Sequence, residues 1–497
     1  MSGGERSLER SGTLASAFVE ACRRYGDKAA LKDGEFYFRY RDALQGAASA
    51  ARSLEEKGAS ERVGILATNG MDFVCGFFGT LLSGRTAVPL NYMLAPAELG
   101  TLVKYVGAET AVVSRAFADL AKALPVQAVD ARGLWSLGKG EVREAEVCGD
   151  SPAVVMCTSG TTSSPKGVVL SHRNLLSNSL AAGKWFGFSE EDRLLCVLPL
   201  FHSFALNTLM LVPMFYGAFT VYHKRFSPSS ALREIERERV TTLIAVASMF
   251  KVLVASGMSE KADVSSLKLC VAGGERVPDA VMEGMKKVLG VDLHQGYGLT
   301  EASPVVAANN FEFSKRGSVG KPIPGVRVKV VDEKGEELRA GEQGELLVQG
   351  ECVMTGYLDM PGETKEAMTE DGWLRTGDVG FVDEEGFVTL TARKKELIIC
   401  GGVNVSPYRV EEVIASHPGV REVVVVGKED ETRGEVPVAF VVKSGEAEVE
   451  EGELKRFCRE SLAGYEVPRR FWFVEEFPRS ATGKVLRREL VSRANRL

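Results

Sequence analysis

The chain is 497 residues long and 45% apolar, enough to bury several cores and to form about three domain-sized units. Its 61 Lys and Arg face 67 Asp and Glu, and the formal charge of −6 argues against a sequence-independent hold on DNA or RNA phosphates. Nine scattered cysteines include no CxxC pair, which removes the usual zinc and redox-dithiol patterns and fits reduced thiols in a cytoplasmic protein.

The chain opens on Met1-Ser2-Gly3-Gly4-Glu5-Arg6 and continues polar, without the apolar stretch of a secretion signal. Residues 62–67 read as a buried strand, 71–82 as an apolar-faced helix and 86–90 as a second strand, a βαβ unit. The pattern recurs in a helix over 96–105 and a strand over 110–114, then in strands over 241–246 and 267–272. Between these, the apolar run 210–222 contains Pro213 and is too short to cross a bilayer, so no transmembrane segment is expected. Peripheral contact with a membrane stays open, and the oligomeric state is not specified.

From about residue 316 the pattern shifts to short alternating strands, 326–331, 344–349 and 386–390, expected as a β-rich subdomain closing the large body. Beyond Arg393, a helix over 409–417, strands over 422–426 and 436–442 and a helix over 451–461 form a further α+β domain. The fold class is therefore α/β: a large N-terminal body of α/β subdomains with a β-rich subdomain, followed by a small C-terminal α+β domain.

The most informative stretch is Thr158-Ser159-Gly160-Thr161-Thr162-Ser163-Ser164-Pro165-Lys166-Gly167, after the apolar strand 153–157. Hydroxyls, backbone amides and a Lys following a strand suit the oxygens of a nucleotide triphosphate, although an ordinary Ser/Thr/Gly loop would read the same way. A P-loop is excluded, because Pro165 precedes the Lys and Gly167 follows it; Gly483-Lys484 fails as well, with Val485 in place of the hydroxyl.

An ordered series follows: Pro199-Leu200-Phe201-His202, Ala272-Gly273-Gly274-Glu275, Gln295-Gly296-Tyr297-Gly298-Leu299-Thr300-Glu301, Trp373-Leu374-Arg375-Thr376-Gly377-Asp378, Arg393-Lys394-Lys395-Glu396, Gly401-Gly402 through Pro407, and Pro478 through Lys484. The series resembles the adenylate-forming enzymes, which include acyl-CoA synthetases, aryl-CoA ligases, luciferases and the adenylation domains of peptide synthetases. The resemblance implies activation of a carboxylic acid with ATP and Mg²⁺ as an acyl-AMP, then transfer to coenzyme A. It also implies an adenylation domain over residues 1–392 and a small mobile domain over 393–497.

Such a reaction joins two anions, a carboxylate and the α-phosphate, which repel until positive charge is fixed between them. By resemblance Lys484 is that charge and the first catalytic candidate. Glu301 is the Mg²⁺ carboxylate, with Thr300 beside it at the phosphates. Thr158, Ser159, Gly160, Thr161, Thr162 and Lys166 would hold the triphosphate; Gly274, Glu275, Gln295 and Gly296 would line the nucleotide side; Tyr297 would stack on adenine and Gly298 admit the backbone. Asp378 would accept the ribose hydroxyls, with Arg393 as a second ribose contact. Lys395 takes the hinge position, and Gly401 and Gly402 would meet the pantetheine path in a second orientation, although a tight turn explains two glycines equally. Three departures stand out: Ser163 and Cys157 replace the more frequent glycine and tyrosine, and Arg409 a glutamate.

Amino-acid substrates are disfavoured, because relatives that take them carry an Asp where this chain has His202. By the resemblance His202 is the gate of acyl- and aryl-CoA ligases, and a core histidine is the other reading. The apolar stretch 204–216, with Gly273 and Gly274 expected to leave the far wall open, implies an apolar acid, with a medium- or long-chain fatty acid preferred over an aryl acid, although a core helix has the same apolar spacing. A ligase loading an acyl carrier protein, and a non-catalytic nucleotide-binding protein, are the competing functions.

Overall fold

The computed structural model describes residues 11–131, 142–158, 166–257, 262–445, 449–479 and 485–497. The chain divides into two compact units, one of Met1–Val328 with Val348–Leu374, the other of Lys329–Leu347 with Arg375–Leu497.

The first unit is built on two mostly parallel sheets. Its seven-stranded sheet runs in the order Gly356–Tyr357, Lys166–Ser171, Pro152–Thr158, Thr86–Pro89, Arg62–Leu66, Thr110–Val113, Gln127–Asp130, and the last five of these strands are parallel to one another. The strands Arg62–Leu66 and Thr86–Pro89 are joined by the helix Met71–Leu82, as the sequence pattern predicts. Every residue of that helix except Asp72 is buried, because its apolar residues leave no polar face to turn outward.

The nine-stranded sheet places Leu293–Gly298, Leu269–Ala272, Thr242–Ala245 and Arg193–Cys196 side by side, all parallel. Their carboxyl ends therefore share one edge, where α/β sheets bind their ligands. Three of the motifs singled out above lie there: Pro199–His202 after one strand, Gly273–Glu275 after another and Gln295–Gly298 at the end of a third.

The second unit holds a four-stranded sheet (Arg327–Val331, Gly344–Gln349, Leu374–Val382, Val388–Arg393) and a five-stranded one centred on the long pair Val420–Asp430 and Gly434–Lys443. Alternate residues of this pair serve opposite faces. Val425, Ala439 and Val441 pack with Val410, Ile414, Leu454 and Cys458 of two helices, while Val424, Val426, Val438, Phe440 and Val442 pack with Leu490 and Ala494 of the C-terminal helix. Segments 329–347 and 375–392, expected to close the large body, thus group with the C-terminal residues. All nine cysteines are free thiols, and no helix among the described residues is long and apolar enough to cross a membrane.

Candidate active site

In the first unit, Thr158 ends a strand whose partner begins at Lys166, the two residues facing each other in antiparallel register. Ser159, Gly160, Thr161 and Thr162 lie outside the described residues. The Lys166 ammonium sits 4.6 Å from the centre of the Tyr357 ring, and the Tyr357 hydroxyl donates to Glu301 Oε1 at 2.9 Å. One aromatic residue therefore touches both the candidate phosphate lysine and the candidate metal carboxylate.

Glu301 belongs to a single 3₁₀ turn, Thr300–Ala302, held from below by a buried polar net. Asn178 donates to the carbonyls of Ala302 and Val305 and accepts the Val305 amide; Asn207 donates to Asn178 Oδ1 at 2.8 Å and to the Ser303 carbonyl at 2.5 Å. Ser203 Oγ lies 3.0 Å from Thr300 Oγ1. Removing one partner from such a net strands a buried polar group at a cost of about 1–3 kcal/mol, so the turn is firmly fixed. Asn207 opens a π-helical stretch, Asn207–Leu211, inside the segment that the sequence suggests is simply apolar.

That segment is core. Residues 205–215 are all buried, so the stretch fills the interior and does not line an open acid pocket along its length. The far wall is not open at Gly273 either, because a Cβ there would stand 2.9 Å from Cζ of Phe204. A side chain at 273 would displace the Phe204 ring from the strand end. His202 precedes the short helix Ser203–Leu206, its ring 4.6 Å from that of Phe201. Glu275 accepts the Ser248 amide at 2.6 Å and so caps the helix Ala247–Ala255. Gln295 and Gly296 are half-buried, Tyr297 is buried, and Gly298 is demanded by the Pro304 carbonyl, 2.0 Å from where a Cβ would stand.

In the second unit, Asp378 and Arg393 face each other across two antiparallel strands, and Arg393 Nε donates to Asp378 Oδ1 at 2.9 Å. The Asp378 charge beside it raises the guanidinium pKa further above its already high value. Lys394 pairs with Glu345 at 3.0 Å, and Lys395 lies in the short turn Lys394–Glu396. Gly401 and Gly402, at φ of 61° and 84°, form the two-residue turn of a hairpin in which Cys400 faces Val403. Lys484 lies outside the described residues.

Residues 18–358 match the family described as AMP-binding enzyme, and residues 409–484 match its C-terminal domain. The chain belongs to the AMP-binding enzyme family. Two relatives place this AMP-binding enzyme in the acyl-CoA ligase branch. The 2-succinylbenzoate–CoA ligase of Bacillus licheniformis is 34% identical over 93% of this chain and 96% of its own length. The long-chain-fatty-acid–CoA ligase of Escherichia coli O6:H1 is 32% identical over 98% and 95%. Among solved structures, the O-succinylbenzoate coenzyme A synthetase of Bacillus subtilis in complex with ATP and a magnesium ion superposes with a TM-score of 0.85 at 32% identity, covering 95% of this chain and 98% of that one.

The residues of this AMP-binding enzyme fit a magnesium ion carried in with the nucleotide. Magnesium takes one or two carboxylates plus substrate phosphates, and among the described residues no cluster of three or more potential ligands forms a cage of its own. Glu301 accepts the Tyr357 hydroxyl through Oε1, and its second oxygen would be the one to meet such a cation. Sequence reasoning missed Tyr357, Ser203, Asn178 and Asn207; the one local signal was Gly356-Tyr357 after a strand, too brief to read alone.

Since Asp378 is buried and paired with Arg393, its loss should free that guanidinium, and by the resemblance the effect should fall on the nucleotide. Asp378→Ala is expected to raise the apparent KM for ATP about tenfold while changing that for the acid little, and initial rates at varied ATP and acid measure the split. A selective loss of acid binding would assign Asp378 to the other substrate.

Proposed function

We propose that this enzyme is an ATP-dependent acid–thiol ligase. The acid's carboxylate oxygen attacks the α-phosphorus of ATP, the bond to the β-phosphate breaks, and pyrophosphate leaves; the thiol sulfur of coenzyme A then attacks the acyl carbon, AMP departs, and the thiol proton passes to solvent. The observation that carries this reading is the joining of Lys166 and Glu301 through Tyr357 at the sheet edge, beside the 3₁₀ turn that Asn178 and Asn207 hold.

Magnesium, bound through Glu301 and the phosphates, supplies charge neutralisation at the departing pyrophosphate. Thr300 presents its hydroxyl to the same phosphates, Lys166 attracts the outer ones, Asp378 and Arg393 hold the ribose, and Lys484 brings the charge that lets two anions meet. His202 gates the acid, and Arg393 to Glu396 carries the turn between half-reactions, with the functional domains meeting at 392/393. Nine free thiols support a cytoplasmic site of action.

For the acid, a compact, ring-sized molecule is the first reading, supported by the Phe204 ring seated over Gly273 and by the likeness to the 2-succinylbenzoate ligase. A medium- or long-chain fatty acid is the second, supported by the likeness to the long-chain ligase. The test is a panel of aryl and fatty acids scored for pyrophosphate release with coenzyme A, with an acyl carrier protein and with neither. Preference for ring acids with coenzyme A is expected. Turnover of fatty acids alone would select the second reading, release only with carrier protein would replace the acceptor, and no release with any acid would leave a nucleotide-binding protein.

A further inference from the structure

Tyr357 lies on a two-residue edge strand hydrogen-bonded to the strand that Lys166 begins: Gly356 faces Val169, Tyr357 faces Val168, and the Leu358 amide donates to the Gly167 carbonyl at 2.7 Å. The Tyr357 amide donates to Thr364 Oγ1 at 2.9 Å, and the Met354 amide donates to the Glu301 carbonyl at 2.8 Å. The same short segment is thus tied to the strand that Lys166 begins and to the backbone of Glu301. Its one aromatic side chain then reaches the carboxylate with its hydroxyl and the ammonium with its ring face.

We propose that Tyr357 is a positioning residue that sets the separation of Lys166 and Glu301, and so the fit of the metal-bound triphosphate. The hydroxyl fixes one carboxylate oxygen and thereby aims the other, as outer-shell donors do for metal ligands. The ring holds the lysine by its electron-rich face, a contact that phosphate oxygens can outcompete.

The two contacts can be separated by two substitutions. Tyr357→Phe keeps the ring and loses the hydroxyl; Tyr357→Leu loses both. Two binding measurements on the full chain read them without turnover: electron paramagnetic resonance of Mn²⁺ in the presence of α,β-methylene-ATP, and calorimetry of that nucleotide in excess chelator. The Phe variant is expected to bind Mn²⁺ about tenfold more weakly while its metal-free nucleotide affinity stays at the parent value. The Leu variant is expected to lose affinity in both measurements.

The proposal rests on Glu301 as the metal carboxylate, so Glu301→Gln is measured alongside. Should Glu301→Gln weaken Mn²⁺ while Tyr357→Phe does not, Tyr357 has no such role and the Glu301 assignment stands. Unchanged Mn²⁺ affinity in Glu301→Gln would overturn both. Equal losses in both measurements for the Phe and Leu variants would reduce Tyr357 to a general packing residue and overturn the proposal.

Discussion

Replacing Lys484 by Ala is expected to slow acyl-adenylate formation by about a thousandfold or more, equivalent to about 4 kcal/mol of transition-state stabilisation. The expectation rests on the place of Lys484 in its motif and on the electrostatics of bringing a carboxylate to a phosphate. On either side of the undescribed stretch, Arg479 and Val485 form an antiparallel bridge and the Leu486 amide donates to the Pro478 carbonyl at 2.8 Å. Three residues beyond the lysine, Arg487 is locked to Glu411 by contacts of 2.6 and 2.7 Å and stacks on Tyr408. The lysine's chain is therefore anchored immediately downstream. Given preformed acyl adenylate, the variant should still make thioester at close to the parent rate. Single-turnover measurements of each half-reaction keep product release from masking the chemistry. An equal deficit in both steps would remove Lys484 from its role in the first.

The second large effect concerns the Gly401–Gly402 turn. Positive φ at both central residues of a two-residue hairpin defines a type I′ turn, and Asn-Gly is its most favoured sequence. Gly401→Asn should leave the hairpin intact while adding a side chain where the pantetheine arm is proposed to pass; Gly402→Leu would strain the turn and confuse the two effects. Adenylation measured as first-turnover pyrophosphate release should persist, and transfer to coenzyme A should fall about a hundredfold. Unchanged transfer would leave the glycines as turn formers alone, and loss of both steps would count against separate orientations for the two half-reactions.

Where the sequence was informative, it was so for local reasons. The helix Met71–Leu82 and the strand Gly344–Gln349 have the predicted ends, since apolar periodicity and flanking glycines mark both. Asp378 and Arg393, 15 residues apart, are expected at one ribose by resemblance, but their direct pairing depends on a hairpin register that no single motif states. Tyr357 was out of reach because its partner Glu301 lies 56 residues away. Asn207 was hidden by its surroundings: one amide in an apolar run reads as an interruption, yet it reaches Asn178, 29 residues back, and Ser303, 96 residues on. For the same run the sequence leaves core and acid-lining helix both open, because the two share one composition, and burial of residues 205–215 decides for core. Segment 329–347 looked continuous with the large body because chain order carries no record of which unit a strand joins.

The half-buried Phe204 and the fully buried Asn207 stand three residues apart on one continuous stretch, either side of the point where its winding loosens from α to π. Under the proposed ring-sized acid, selection of the acid and support of the 3₁₀ turn that carries Glu301 would fall on the same few residues. Sliding or re-tilting the stretch to admit a longer acid would drag the amide from its partners, whereas exchanging the ring at 204 for a smaller group leaves the backbone in place. Laboratory redesign of substrate range should therefore begin at Phe204, with the backbone held fixed.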